Sequence, residues 1–88
     1  MDMESLRREI DRIDEALASL LAARMETAAA VRRFKTETLD EGRERAVLCK
    51  ARERARAAPP LDPDFLESLY VAIMAESRRV QELGLRVA

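Results

Sequence analysis

From Glu4 to Thr38 an apolar stripe runs without a glycine or proline to break it. Leu6, Ile13, Leu20, Thr27 and Phe34 recur every seven positions. Ile10, Leu17, Arg24 and Val31 form a second seven-residue series, four positions on. Spacings of three and four keep such a set on one face of an α-helix. A single helix of about 35 residues would be about 50 Å long at 1.5 Å per residue. That is too long for a compact monomer of 88 residues. It needs a partner along its length, and a second copy of the chain is the simplest one.

The rest of the chain reads as two shorter helices. Residues Thr38 to Gly42 form a connection, and Asp40 is placed to cap a helix running to about Ala57. Its inner face would carry Glu44, Leu48, Ala51 and Ala55. Ala58-Pro59-Pro60-Leu61 ends it. Asp62-Pro63 is an N-cap followed by proline at the first helical position. The third helix is expected to reach about Leu83, with Gly84 as its stop. Leu66, Leu69, Tyr70 and Ile73 give its apolar face, continued by Ser77 and Gln81. The expected fold is therefore all-α, with one long and two shorter helices in a single domain over residues 1–88.

Composition removes several chemistries. The chain has no histidine, which excludes imidazole acid–base catalysis and most zinc sites. Cys49 is the only cysteine, so neither an intrachain disulfide nor a thiolate cluster can form. Charged residues make up 38%, yet the formal net charge is -1. The chain as a whole is not a basic nucleic-acid binder, which leaves only a local patch open. No run approaches the 18 or so apolar residues of a membrane span, and the charged start lacks the apolar core of a signal peptide. A soluble cytoplasmic protein is expected.

The informative residues are polar ones in register with the apolar stripes. Arg24 occupies a stripe position, and a buried guanidinium requires an anion or an acidic partner. Lys35, eleven residues later, falls within about 20° of Arg24 around the helix and about 16 Å along it. Two ion pairs with acids of other helices would satisfy both, and so would a small ligand carrying carboxylates. Glu44 faces inward on the second helix. Ser77 and Gln81 are neighbours at i, i+4 on the third. Taken singly, each fits ordinary helix-packing hydrogen bonds. Taken together, three helices direct polar groups at one interior, and the groups suit a ligand with carboxylates, a hydroxyl and an ether oxygen. Arg7 lies 17 positions before Arg24, about 26 Å along a straight helix. If both touch one small ligand, they come from different chains; otherwise Arg7 is a solvated arginine like Arg8.

The run LRREIDRIDEALASLLAAR resembles the opening helix of the all-helical chorismate mutases, in which a leucine–arginine pair is followed by an Ile/Leu–Asp repeat and a second arginine. Lys35, then Arg43-Glu44-Arg45, then Ser77 with Gln81 follow in the family's order, so the resemblance covers essentially the whole chain. The connection between Lys35 and Asp40 is shorter than in the family pattern. The resemblance implies an intertwined helical homodimer in which Arg7 reaches the partner subunit's site and binds a substrate carboxylate. Arg24 would bind the other, with Arg43 nearby. Lys35 and Gln81 would bond the ether oxygen and a carboxylate. Glu44 would accept from the ring hydroxyl, with the backbone near Asp40 close by, and Ser77 would meet the ring-side carboxylate. The reaction implied is the cofactor-free Claisen rearrangement of chorismate, a dianion, to prephenate. The family also holds mutases of 4-amino-4-deoxychorismate and lyases of isochorismate. Glu44 argues for a donor at the ring 4-position, hydroxyl or amine. A non-catalytic helical dimerisation module is the alternative from another class; it accounts for the heptads but not for Arg24, Glu44, Ser77 and Gln81 at inward positions.

Overall fold

Local capping chemistry sets where the helices begin. In the computed structural model, which describes residues 2–34 and 39–87, the carboxylate of Asp2 accepts from the backbone N–H of Ser5 at 2.8 Å and opens helix α1, Met3–Val31. That hydrogen bond holds the Asp2 carboxyl below the ordinary carboxylate range. Asp40 accepts from the Arg43 N–H at 2.9 Å and opens α2, Glu41–Arg56. Asp62 accepts from the Phe65 N–H at 2.9 Å and opens α3, Pro63–Val87, with proline at the first helical position. Both predicted caps, Asp40 and Asp62, are in place. The described residues include no strand.

The ends differ from the sequence expectation in two places. The first helix keeps its α pattern only to Val31 and then tightens into a 3₁₀ turn over Arg32–Phe34. Phe34 is 86% exposed, so continuing the α-helix through it would bury nothing on this chain. The expected end at Thr38 lies outside the described residues. Gly84 does not stop α3, which runs on to Val87. Its φ is not positive, so the left-handed cap that would use a glycine is not formed. A glycine inside a helix costs about 1 kcal/mol relative to alanine, too little to end one by itself.

Helices α2 and α3 form an antiparallel pair. Arg52 bonds Asp64 and Glu67, each at 2.7 Å, near the turn, and Glu44 meets Arg78 at the far end. Ala51 and Ala55 are fully buried along the α2 face that also carries Glu44 and Leu48. Alanine at these positions lets the two axes approach closely, with Met74 buried alongside. Leu69, expected on the inner face of α3, is instead 41% exposed.

Helix α1 meets α3 and not α2, and it does so through its C-terminal third. The remainder stands clear of the other helices. Leu6, Ile10, Ile13, Leu17 and Leu20 are 42–68% exposed, and α1 has no buried residue. The radius of gyration is 15.9 Å, with a longest extent of 51 Å. A compact chain of this length would have a radius near 12 Å. A three-helix chain that leaves its most regular apolar stripe in water has not completed its core. Among the described residues no helix is long and apolar enough to cross a membrane.

Candidate active site

Three helix ends converge on one cleft. From α1 come Arg24, Thr27, Ala28 and Val31, a set at i, i+3, i+4 and i+7 that shares one helix face. From α3 come Met74, Ser77, Arg78 and Gln81, with the same spacing. The start of α2 adds Asp40, Arg43 and Glu44. The volume of this half-open cleft is about 260 Å³. That lies just below the range of about 300–1,000 Å³ typical of drug-sized ligands, so the cleft suits a smaller molecule.

Arg24 is half-buried at its stripe position. One guanidinium nitrogen donates to Ser77 Oγ at 2.6 Å, and the guanidinium carbon lies 5.8 Å from the centre of the Tyr70 ring. Both neighbours stabilise a cation modestly. Neither neutralises it, and among the described residues no carboxylate pairs with Arg24. Ser77 is fixed in turn: its hydroxyl has one proton, which goes to the Ile73 carbonyl at 3.0 Å. The 3.7 Å approach to Met25 Sδ is then a packing contact.

Gln81 is 6% exposed. Its Nε2 donates to the Ala28 carbonyl at 3.1 Å, across the close contact that an alanine permits between α1 and α3. One of the two amide protons is used there, so a second N–H remains. Its Oε1 is buried with no hydrogen-bond partner among the described residues. A buried acceptor left unsatisfied costs about 1–3 kcal/mol, which a side chain kept for packing alone would avoid.

Glu44 accepts from Arg78 across the α2–α3 gap. Asp40 uses one oxygen to cap α2, on the backbone N–H of Arg43, and Arg43 itself lines the cleft. The described lining thus holds three arginines against two acids, a cation in excess, which suits an anionic ligand.

Six of the eight residues singled out from sequence therefore line one cleft: Arg24, Asp40, Arg43, Glu44, Ser77 and Gln81. Lys35 lies outside the described residues. Arg7 is exposed on the projecting part of α1, about 26 Å along the helix from Arg24. Sequence reasoning missed Arg78. The available signal was its place three residues before Gln81 and four after Met74, on the border of the inward face of α3.

The sequence matches the family model of chorismate mutase type II over residues 6–82. Comparison with curated proteins and with solved structures gives no significant match. With a match that spans all three helices, the chain belongs to the chorismate mutase type II family, whose all-helical enzymes isomerise chorismate to prephenate.

Proposed function

We propose that chorismate binds and rearranges in the cleft between the three helices, and that a second copy of the chain completes the site. The observation that carries this reading is Arg24, a half-buried cation bonded to a hydroxyl and set over an aromatic ring, with no carboxylate partner among the described residues. A guanidinium binds a carboxylate through two directional hydrogen bonds. Arg24, with Arg43 beside it, takes one carboxylate of the substrate. The other goes to the partner subunit's Arg7.

The reaction is unimolecular. The ether C–O bond breaks as the enolpyruvyl methylene bonds to the ring carbon, and every atom of chorismate is kept in prephenate. No proton is gained or lost in that step, so the side chains act by position and charge. Clamping both carboxylates holds the tail over the ring, the conformer from which the new bond forms. As the C–O bond stretches, its oxygen gains negative charge. The free N–H of Gln81 donates to that oxygen, with Lys35 as the second donor. Donors fixed in place before the charge develops pay little reorganisation, and removing one typically lowers a rate about 10²–10³-fold. Glu44 accepts from the ring 4-hydroxyl, and Ser77, held by Arg24, lies beside the ring-side carboxylate.

The exposed stripe of α1 supports the dimer. A second copy lying along Leu6, Ile10, Ile13, Leu17 and Leu20 removes that surface from water and brings its own Arg7 within reach of the cleft. Purified protein assayed side by side with chorismate, 4-amino-4-deoxychorismate and isochorismate tests the reading. Prephenate formation from chorismate is expected. Turnover of isochorismate alone, with release of pyruvate, would replace it.

Gln81→Glu makes a sharper test of the third helix. A neutral amide donates at any ordinary pH, whereas a carboxyl donates only while protonated. Once ionised it repels both the ether oxygen and the substrate carboxylates. The variant should keep most of its activity at acidic pH and lose about 10²–10³-fold by neutrality, while the parent stays comparatively flat. Matching kcat profiles from pH 4.5 to 8 would remove Gln81 from the reacting oxygen.

A further inference from the structure

One charged residue of the cleft, Arg78, has no part in that mechanism. Arg78 donates to Glu44 Oε2 and so ties the start of α2 to the last part of α3. The two side chains are 32% and 25% exposed, so the pair stands in the wall of the cleft, where solvent screens it less than on an open surface. Around Arg78 on α3, Met74, Ser77 and Gln81 all line the same cleft.

We infer that Arg78 sets which ring 4-substituent the site accepts, favouring a neutral hydroxyl over an ammonium by holding a positive charge against Glu44. The inference rests on the reading of Glu44 as the acceptor for that substituent. A hydroxyl and an ammonium are close in size, so the shape of the cleft discriminates poorly between them. Charge discriminates better. The carboxylate of Glu44 offers about four lone-pair positions, and Arg78 occupies one of those on Oε2. A hydroxyl can donate to another without meeting a like charge, and it gains an acceptor whose orientation is already fixed. An ammonium on the same carboxylate would place a second full positive charge within a few ångströms of the guanidinium.

The rest of the lining does not relieve that repulsion. Arg24 and Arg43 add two more cations. The second acid, Asp40, already spends an oxygen on the cap of α2. A repulsive element against the wrong ligand is a common source of specificity between near-isosteric molecules.

The test compares kcat/KM for chorismate and for 4-amino-4-deoxychorismate in the wild type, Arg78→Gln and Arg78→Lys. Both substrates are measured on one preparation, so any loss of folded protein cancels in the ratio. The wild type should prefer chorismate. Arg78→Gln should shift the ratio toward the amino substrate by about 10-fold or more, equivalent to about 1.4 kcal/mol, and Arg78→Lys should keep it within about 3-fold of wild type. An unchanged ratio in Arg78→Gln, with both substrates falling together, would overturn the inference, because a residue holding a carboxylate common to both behaves that way. An equal shift in Arg78→Lys would overturn it too, because positive charge would then not be the determinant. Wild-type protein inactive on both substrates would overturn the reading of the site beneath it.

Discussion

Arg24→Ala is expected to lower kcat/KM for chorismate by at least about 10²–10³-fold, while the melting temperature of the free protein moves by less than about 8 °C. The two effects separate because the guanidinium has little to hold it in the empty site. Its partners are the Ser77 hydroxyl at 2.6 Å and the face of Tyr70 at 5.8 Å. A hydrogen bond from a charged donor contributes about 1.5–3 kcal/mol, and removing a half-buried, unneutralised cation recovers desolvation free energy of opposite sign. The balance is expected to fall within about 1 kcal/mol of zero, which for a domain of this size is about 4–8 °C. Bound substrate changes the balance entirely, because the carboxylate then supplies the missing counter-charge. A bicyclic dicarboxylate that mimics the transition state should accordingly raise the melting temperature of the wild type and not that of Arg24→Ala. A variant that melts far lower yet retains its activity where folded would make Arg24 a structural residue.

The residues that were legible in the sequence are those whose environment is fixed locally. Asp40 and Asp62-Pro63 announce helix starts because an N-cap needs only the next three residues. Arg24, Glu44, Ser77 and Gln81 stand out because each interrupts an apolar face where burial of a polar group requires a partner. Helix ends were harder. The stripe of α1 continues to Phe34, but the α pattern stops at Val31, since among the described residues Phe34 stays 86% exposed and gains no burial by extending the helix. Gly84 resembles a stop and is not one, because a terminal glycine ends a helix only when it adopts positive φ. Arg78 was invisible for a different reason. Its partner Glu44 lies 34 positions away, and only the antiparallel packing of α2 on α3 brings the two together. Leu69 and the stripe of α1 show the same limit from the other side: periodicity identifies an apolar face but not what, if anything, covers it.

That last ambiguity yields the most demanding experiment. Arg7→Ala and Arg24→Ala homodimers should each be nearly inactive, and a mixture of the two should recover activity after subunit exchange. The expected gain follows from geometry. Along α1, Arg7 and Arg24 are about 26 Å apart, beyond what one small ligand can bridge on one straight helix. A site that uses both arginines therefore draws them from two chains. In a two-fold dimer of one Arg7→Ala chain and one Arg24→Ala chain, one site keeps both arginines and the other loses both. Random exchange makes about half the dimers mixed, so about a quarter of all sites should be intact, each with wild-type kcat. Refolding the mixture from denaturant and confirming exchange by the mass of the mixed dimer completes the measurement. Confirmed exchange with no recovered activity would mean that each site is built within one chain. Full activity of Arg7→Ala alone would place that arginine outside the chemistry.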